Sequence, residues 1–167
     1  EKQLPARRWE AIKNERQIGL NPCGEIYLRS KQFCNLTSIV IRPSDTVASL
    51  KRKIDLATIL GTYQSTLTNF GYLSKKWKEN CEEERLLGVS LTGYYDNPII
   101  RNDKVLDTLR LASVETNKTY AKRFGINAST AITCVKPHGN SGQLLSVGSG
   151  MHPWYAPYFI RRVRISH

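Results

Sequence analysis

Two hydrophobic patterns alternate along this chain. Short runs rich in β-branched and aromatic residues, Ile26-Tyr27-Leu28 and Cys34-Asn35-Leu36-Thr37-Ser38-Ile39-Val40-Ile41, predict strands. Pro43-Ser44-Asp45 is a helix-start signal; Val47, Leu50, Ile54 and Ala57 follow at helical spacing, and the pattern continues through Leu60 toward Leu67. Leu86-Leu87-Gly88-Val89-Ser90-Leu91-Thr92-Gly93, a short apolar run closed by glycine, predicts a buried strand. A second long helix is predicted from about Asn102 to Phe124, with Leu106, Leu109, Ala112 and Tyr120 on one face and Gly125 as its stop. Thr130-Ala131-Ile132-Thr133-Cys134-Val135 predicts another buried strand, broken at Lys136-Pro137-His138-Gly139, and Phe159 to Ile165 is strand-like. The charged stretch Glu1 to Gln17, which holds Trp9 and Ile12, reads as an exposed segment or a short helix.

Strands alternating with long helices define an α/β class in which helices cover a sheet. No internal repeat or low-complexity linker divides the chain, so residues 1–167 are read as a single segment, long enough to bury an apolar core. The start at Glu1, without a methionine, and the stop at His167, directly after the strand-like run, are read as the cut ends of a piece of a larger domain.

The formal net charge of +11 favours anionic partners such as nucleotides, nucleic acids or acidic surfaces. Its lysines and arginines are scattered over stretches such as Lys51-Arg52-Lys53 and Lys75-Lys76-Trp77-Lys78, where a solvated helix face is the plain explanation. The four cysteines, at 23, 34, 81 and 134, contain no C-x-x-C spacing, so no metal site is expected. With no secretory signal and no membrane-length apolar run, the expected setting is the reducing cytoplasm, where cysteine chemistry is catalytic or absent.

Two loops carry candidate chemistry. In Ile18-Gly19-Leu20-Asn21-Pro22-Cys23-Gly24-Glu25-Ile26, proline and glycine flank a cysteine and predict a tight loop with Cys23 at its tip. Such a loop could present a thiol, the Asn21 amide and the Glu25 carboxylate to one ligand; the alternative is a surface turn with an incidental cysteine. The second loop, Pro137-His138-Gly139-Asn140-Ser141-Gly142, joins a predicted strand to a short helix starting near Ser141. Backbone N–H groups and the positive end of a helix favour phosphate at such a junction, and Asn140 and Ser141 could add side-chain donors, although strand-to-helix turns of this kind are common.

Asn21-Pro22-Cys23-Gly24-Glu25-Ile26, followed eleven residues after its cysteine by Cys34-Asn35-Leu36, resembles the active-site finger loop of ribonucleotide reductases. Leu87 to Gly93 looks like the family's next barrel strand, and Val135 to Leu145 looks like its phosphate-binding loop, here residues 136–143. Gly150-Met151-His152 and Tyr158 to Arg164 fit the adenosylcobalamin-dependent branch, as do the Pro22 and Gly24 flanks.

The resemblance implies that the chain is part of a ten-stranded α/β barrel and takes part in reducing ribonucleotides, at the triphosphate level, to 2′-deoxyribonucleotides. Adenosylcobalamin would be the radical source and a thioredoxin-like dithiol the external reductant; no residue for the cofactor is identifiable in the sequence. Cys23 would become a thiyl radical and remove the ribose 3′ hydrogen, Glu25 would accept the 3′ hydroxyl proton, and Asn21 would orient the ribose hydroxyls. Cys34 would be one thiol of the redox pair, its partner coming from an earlier strand, so the isolated chain should be inactive without the remaining segments of the reductase.

By the same resemblance Pro137, His138, Gly139, Asn140 and Ser141 would bind the substrate phosphates; His138 and Asn140 replace the family's usual serine and frequent threonine. A histidine beside a Pro-Gly turn is expected to be exposed and receives no catalytic role. Cys81 and Cys134 read as ordinary thiols, one near a charged loop and one in a strand. Two other readings compete: a basic nucleic-acid-binding module using Trp77, Tyr94, Tyr95 and Trp154 for stacking, and an inactive reductase fragment.

Overall fold

The structure is a computed structural model describing residues 6–15, 17–160 and 162–165. The chain opens with helix α1 (Ala6–Ile12) and an antiparallel hairpin of β1 (Ile18–Leu20) and β2 (Tyr27–Arg29). Strand β3 (Asn35–Val40), helices α2 (Val47–Gln64) and α3 (Lys75–Glu84), strand β4 (Leu87–Thr92), helix α4 (Asp103–Phe124) and the one-turn α5 (Ser141–Leu144) follow.

β3 and β4 pair in parallel, Asn35 opposite Leu87 through Val40 opposite Thr92, and α2 and α4 cover one face. The core between them contains Ile39, Ile41, Leu50, Ile54, Leu87, Val89 and Leu109. The helices start where their sequence satisfies the first N–H groups. Thr46 and Ser49 form a reciprocal capping box at α2, one residue after the predicted Pro43-Ser44-Asp45 signal, and the Asn102 side chain accepts from the Lys104 N–H at α4. Gly125 ends α4 in a left-handed conformation, as expected.

Three elements differ from the sequence reading. Thr130 to Val135 is not a full strand: Val89 bridges Thr133, the N–H groups of Leu87 and Val89 donate to Ala131 and Ile132 O, and Cys134 N–H donates back to Val89 O. Thr133 and Val135 are exposed, consistent with an edge satisfied on one side. In the strand-like run from Phe159, the described residues 159–160 and 162–165 form no strand and are exposed. The helical stretch read at Lys75–Lys78 is the start of α3, which runs on to Glu84; apolar periodicity does not give that extent because its buried residues are Asn80, Cys81 and Glu84.

Glu84 lies at the centre of a buried ionic cluster. It pairs with Arg8 of α1 and with Arg29 Nε at 2.9 Å, and accepts from Gln32 Nε2 and, at 3.1 Å, Thr130 Oγ1. Arg29 also reaches Glu83 at 2.9 Å, and Arg8 donates to Tyr27 O at 2.6 Å, so the root of the β1–β2 hairpin is tied to α1 and α3 by charge.

Candidate active site

The loop from Asn21 to Ile26 follows from its residues. Gly24 N–H donates to Asn21 O at 2.9 Å, a four-residue turn with asparagine first and proline second, both favoured there. Gly24 adopts φ +78°, which glycine reaches without a Cβ penalty. Ile26 N–H donates to Asn21 Oδ1 and Asn21 N–H to Ile26 O, closing the loop at its neck. Cys23 therefore stands exposed at the tip, between two strands as the sequence predicts.

Ile26 seats the loop on the uncovered face of the sheet. A methyl group on Gly88 of β4 would lie 2.5 Å from Leu36 Cδ2, 3.0 Å from Ile26 Cδ1 and 3.1 Å from Cys134 Sγ. Glycine at position 88 thus lets the hairpin, β3 and the segment after α4 converge over one point.

Glu25 is 1% exposed, and its Oε1 accepts from Lys136 Nζ at 3.0 Å. The same ammonium lies 3.3 Å from Cys23 Sγ. Oε2 is buried and has no hydrogen-bond partner among the described residues. Burial pushes the Glu25 carboxyl upward, but the neighbouring Asn21 amide, its own backbone N–H and the Lys136 ammonium outweigh burial and hold it below the usual carboxylate value. For Lys136, burial acts downward and is outweighed by hydrogen bonds to Glu25 and Cys23, so the ammonium is held above its usual value. Glu25 also lines a cavity of about 620 Å³ with Ile26, Leu87, Arg110, Thr130 and Cys134.

Cys34 sits immediately before β3, half-buried. Burial raises its pKa first, and the neighbouring Cys134 and Glu25 add to that rise. Cys134 is pushed up to about 11 by burial and by the charge of Glu25. Glu25 therefore acts electrostatically on both thiols. Cys81 is buried on α3 and accepts from Phe33 N–H.

His138 differs from its expected exposure. It is 6% exposed, with Nε2 3.0 Å from Ser38 Oγ and 3.3 Å from Ser90 Oγ, and Nδ1 3.0 Å from Ser141 Oγ. Burial and then the nearby Lys136 charge lower its pKa, which favours the neutral ring. The pairing of Ser38 with Ser90 across β3 and β4 explains the inward turn, because it supplies two hydroxyls to one ring nitrogen. Helix α5 begins at Ser141, as predicted; Gly142 N–H donates to His138 O, while Gly139, Asn140 and Ser141 lie on the surface and Pro137 is half-buried.

The structure therefore brings Asn21, Cys23 and Glu25 onto one loop, puts Cys34 within the field of Glu25, and joins that loop to Pro137–Ser141 through Lys136. Sequence reasoning left Lys136 and Cys134 without a role. The available signal is their spacing: residues two apart in an extended segment emerge on the same side.

No family model matches the chain. The adenosylcobalamin-dependent ribonucleoside-triphosphate reductase of Lactobacillus acidophilus is 28% identical over 176 residues, covering 87% of this chain and 23% of that protein. Its counterpart in Lactobacillus gasseri is 27% identical over 196 residues, covering 95% of this chain and 26% of that protein. A crystal structure of a B-12 dependent (class II) ribonucleotide reductase matches with a TM-score of 0.64 at 25% identity, covering 80% of this chain and 22% of the other. The chain spans about a quarter of the length of the curated relatives it matches.

Proposed function

We propose, from the premise that this chain is related along most of its length to the adenosylcobalamin-dependent ribonucleotide reductases, that it works as part of such an enzyme and supplies its radical-bearing loop. The reaction is reduction of a ribonucleoside triphosphate to its 2′-deoxy form. The observation that carries the proposal is the juxtaposition of Cys23 and Glu25 around one ammonium, with Glu25 Oε2 buried and unpartnered.

In this reading the Cys23 thiyl takes the ribose 3′ hydrogen atom, forming an S–H bond and leaving a carbon radical. Glu25 accepts the 3′ hydroxyl proton at Oε2, and the 2′ hydroxyl leaves as water by taking a proton from the redox thiol pair, whose Cys34 member burial keeps protonated. Its depressed pKa keeps the proton-accepting form populated at neutral pH. Asn21, whose Oδ1 is committed to Ile26 N–H, acts on the ribose through its NH₂ group and by orienting Glu25.

Cys34 is held as a thiol by burial and supplies reducing equivalents with a partner thiol, the two closing to a disulfide that a thioredoxin-like dithiol reopens. Pro137, Gly139, Asn140 and Ser141 receive the phosphates from the exposed loop. His138 shapes that loop from below, its ring being occupied by Ser38, Ser90 and Ser141.

Adenosylcobalamin, when bound, supplies the initiating radical. The exposed Cys23 thiol fits access by such a group, and none of the described residues is assigned to hold it. The remaining barrel strands come from the rest of the enzyme. Among the described residues no helix is long and apolar enough to cross a membrane, and we place the enzyme in the cytoplasm. The nucleic-acid reading has less support, because Trp77 stacks on Phe33, Trp154 donates to Asp96, and Tyr94 packs edge-on against Tyr95.

The test is a pair of variants in the full-length enzyme. Cys23→Ser should abolish deoxynucleotide formation, since a hydroxyl cannot take the place of the thiyl. Cys34→Ser should still consume the initiating radical but stall before reduction. Near-normal product from Cys23→Ser would overturn the proposal.

A further inference from the structure

Glu25 is a buried carboxylate with one oxygen satisfied and the other open. Any group that keeps it ionised without blocking Oε2 decides where the proton lands. Lys136 meets that condition: it binds Oε1 alone and simultaneously reaches the Cys23 sulfur. Its own backbone is fixed, since Lys136 N–H donates to Ser90 Oγ at 3.0 Å, and Ser90 is buried in β4 beside the His138 ring. The ammonium is thus delivered from the sheet rather than from a mobile surface side chain.

Resting on the proposed reductase function, we infer that Lys136 is a positioning residue of the reaction: its ammonium sets the Cys23 sulfur against the Glu25 carboxylate and directs the substrate proton to Oε2. When Oε2 takes the 3′ hydroxyl proton, the O–H bond of the substrate breaks, an O–H bond on Glu25 forms, and the ion pair with Lys136 is neutralised. No oxidant or reductant is needed for this step. The ionisable groups around Glu25 are Lys136, Cys34, Cys134, His138 from the loop before α5, and Arg8 and Arg110, which line the same cavity. Both thiols and the imidazole favour their neutral forms, so the compensating charge in contact with Glu25 is that of Lys136.

The experiment measures turnover against pH in the full-length enzyme carrying Lys136→Gln, Lys136→Met or Lys136→Arg, with thermal unfolding as a folding control. The amide keeps a hydrogen bond to Oε1 and the thioether keeps the packing of the stem, so either folded neutral variant suffices. An opposite charge at this range lowers a carboxyl by about 1–3 units, so the acidic limb of the neutral variants should move up by about one pH unit or more, and arginine should restore it. Turnover at the plateau should fall about 10-fold in the neutral variants, the equivalent of roughly 1.4 kcal/mol.

A neutral variant whose acidic limb superimposes on that of the parent overturns the inference. So does equal impairment by glutamine, methionine and arginine with an unmoved limb, the pattern of a merely structural lysine. Cys23→Ser is run beside them. If it retains turnover, the reductase reading itself fails; if it is dead while the limb stays fixed, only the role of Lys136 is lost.

Discussion

The two faces of the β3–β4 sheet are built on opposite terms. The face covered by α2 and α4 is closed by apolar side chains, among them Ile39, Ile41, Leu87 and Val89 against Leu50, Ile54 and Leu109. On the other face the register puts Leu36 beside Gly88 and Ser38 beside Ser90, and the groups that converge there are Glu25, Lys136, His138 and Cys134. One face is stabilised by removing apolar surface from water. The other keeps polar groups buried, each held by a specific partner, with Glu25 Oε2 left unmatched. The contrast separates a face closed by apolar packing from a face lined by buried polar and ionisable groups.

The largest effect that would sharpen this division comes from Glu25→Gln. Under the proposed function Glu25 is the proton acceptor; an amide keeps its shape but cannot take the proton, so turnover of the full-length enzyme should fall about 10²–10⁴-fold. Its unfolding temperature should fall modestly, by the loss of the ion pair with the partly exposed Lys136. A large loss of stability with turnover intact would break the comparison.

Leu50→Ala probes the opposite face and should do the reverse. Leu50 is fully buried in the core, so truncation should cost about 2–5 kcal/mol in denaturant unfolding. Substrate turnover per folded molecule should be preserved. Loss of turnover in the folded fraction would mean that the helix-covered face also tunes the site.

The smallest effect concerns acid. The folded-state pKa of His138 lies below 6.5, so its contribution to stability is present above that value and is lost as pH falls from about 6.5 toward the folded pKa. Glu25 behaves in the same direction at lower pH, with loss below 4.5, whereas the contribution of Lys136 is lost only in alkali, above 10.5. Urea midpoints should therefore decline first below pH 6.5, and His138→Asn should remove that first decline while leaving the carboxylate decline in place.

The helix-covered face was legible in the sequence because its information is local. The spacing of Val47, Leu50, Ile54 and Ala57, and of Leu106 with Leu109, announces helices whose apolar sides need a sheet to cover. Even there the pattern was incomplete: α4 also buries Ser113, Asn117 and Ala121, and Asn117 is satisfied by Thr62 and Ser129, partners that no helical period reveals.

The loop at Cys23 was legible for a different reason, since Asn21-Pro22-Cys23-Gly24 encodes its own turn. What could not be read was which distant residues meet it. Lys136 is 111 positions from Glu25, and His138 is 100 positions from Ser38, so their partnerships exist only once β3, β4 and the segment after Ile132 lie side by side. The inward His138 ring was misread as exposed on the same account: a local Pro-Gly context says nothing of hydroxyls waiting on another strand.

The cluster around Glu84 also fixes how the hairpin can be threaded. Strand β2 presents Arg29 to Glu84 and the Tyr27 carbonyl to Arg8. A slip by one residue would bring Leu28 or Ser30 to the place of Arg29 and turn the side chains of the strand to the opposite face. Removing one partner from a buried ion pair costs about 3–5 kcal/mol, a large fraction of what holds a small domain folded. The knot of charge therefore works as a keyed lock on the hairpin: Cys23 reaches Lys136 in one threading, and the alternatives cost Glu84 one of its two guanidinium partners.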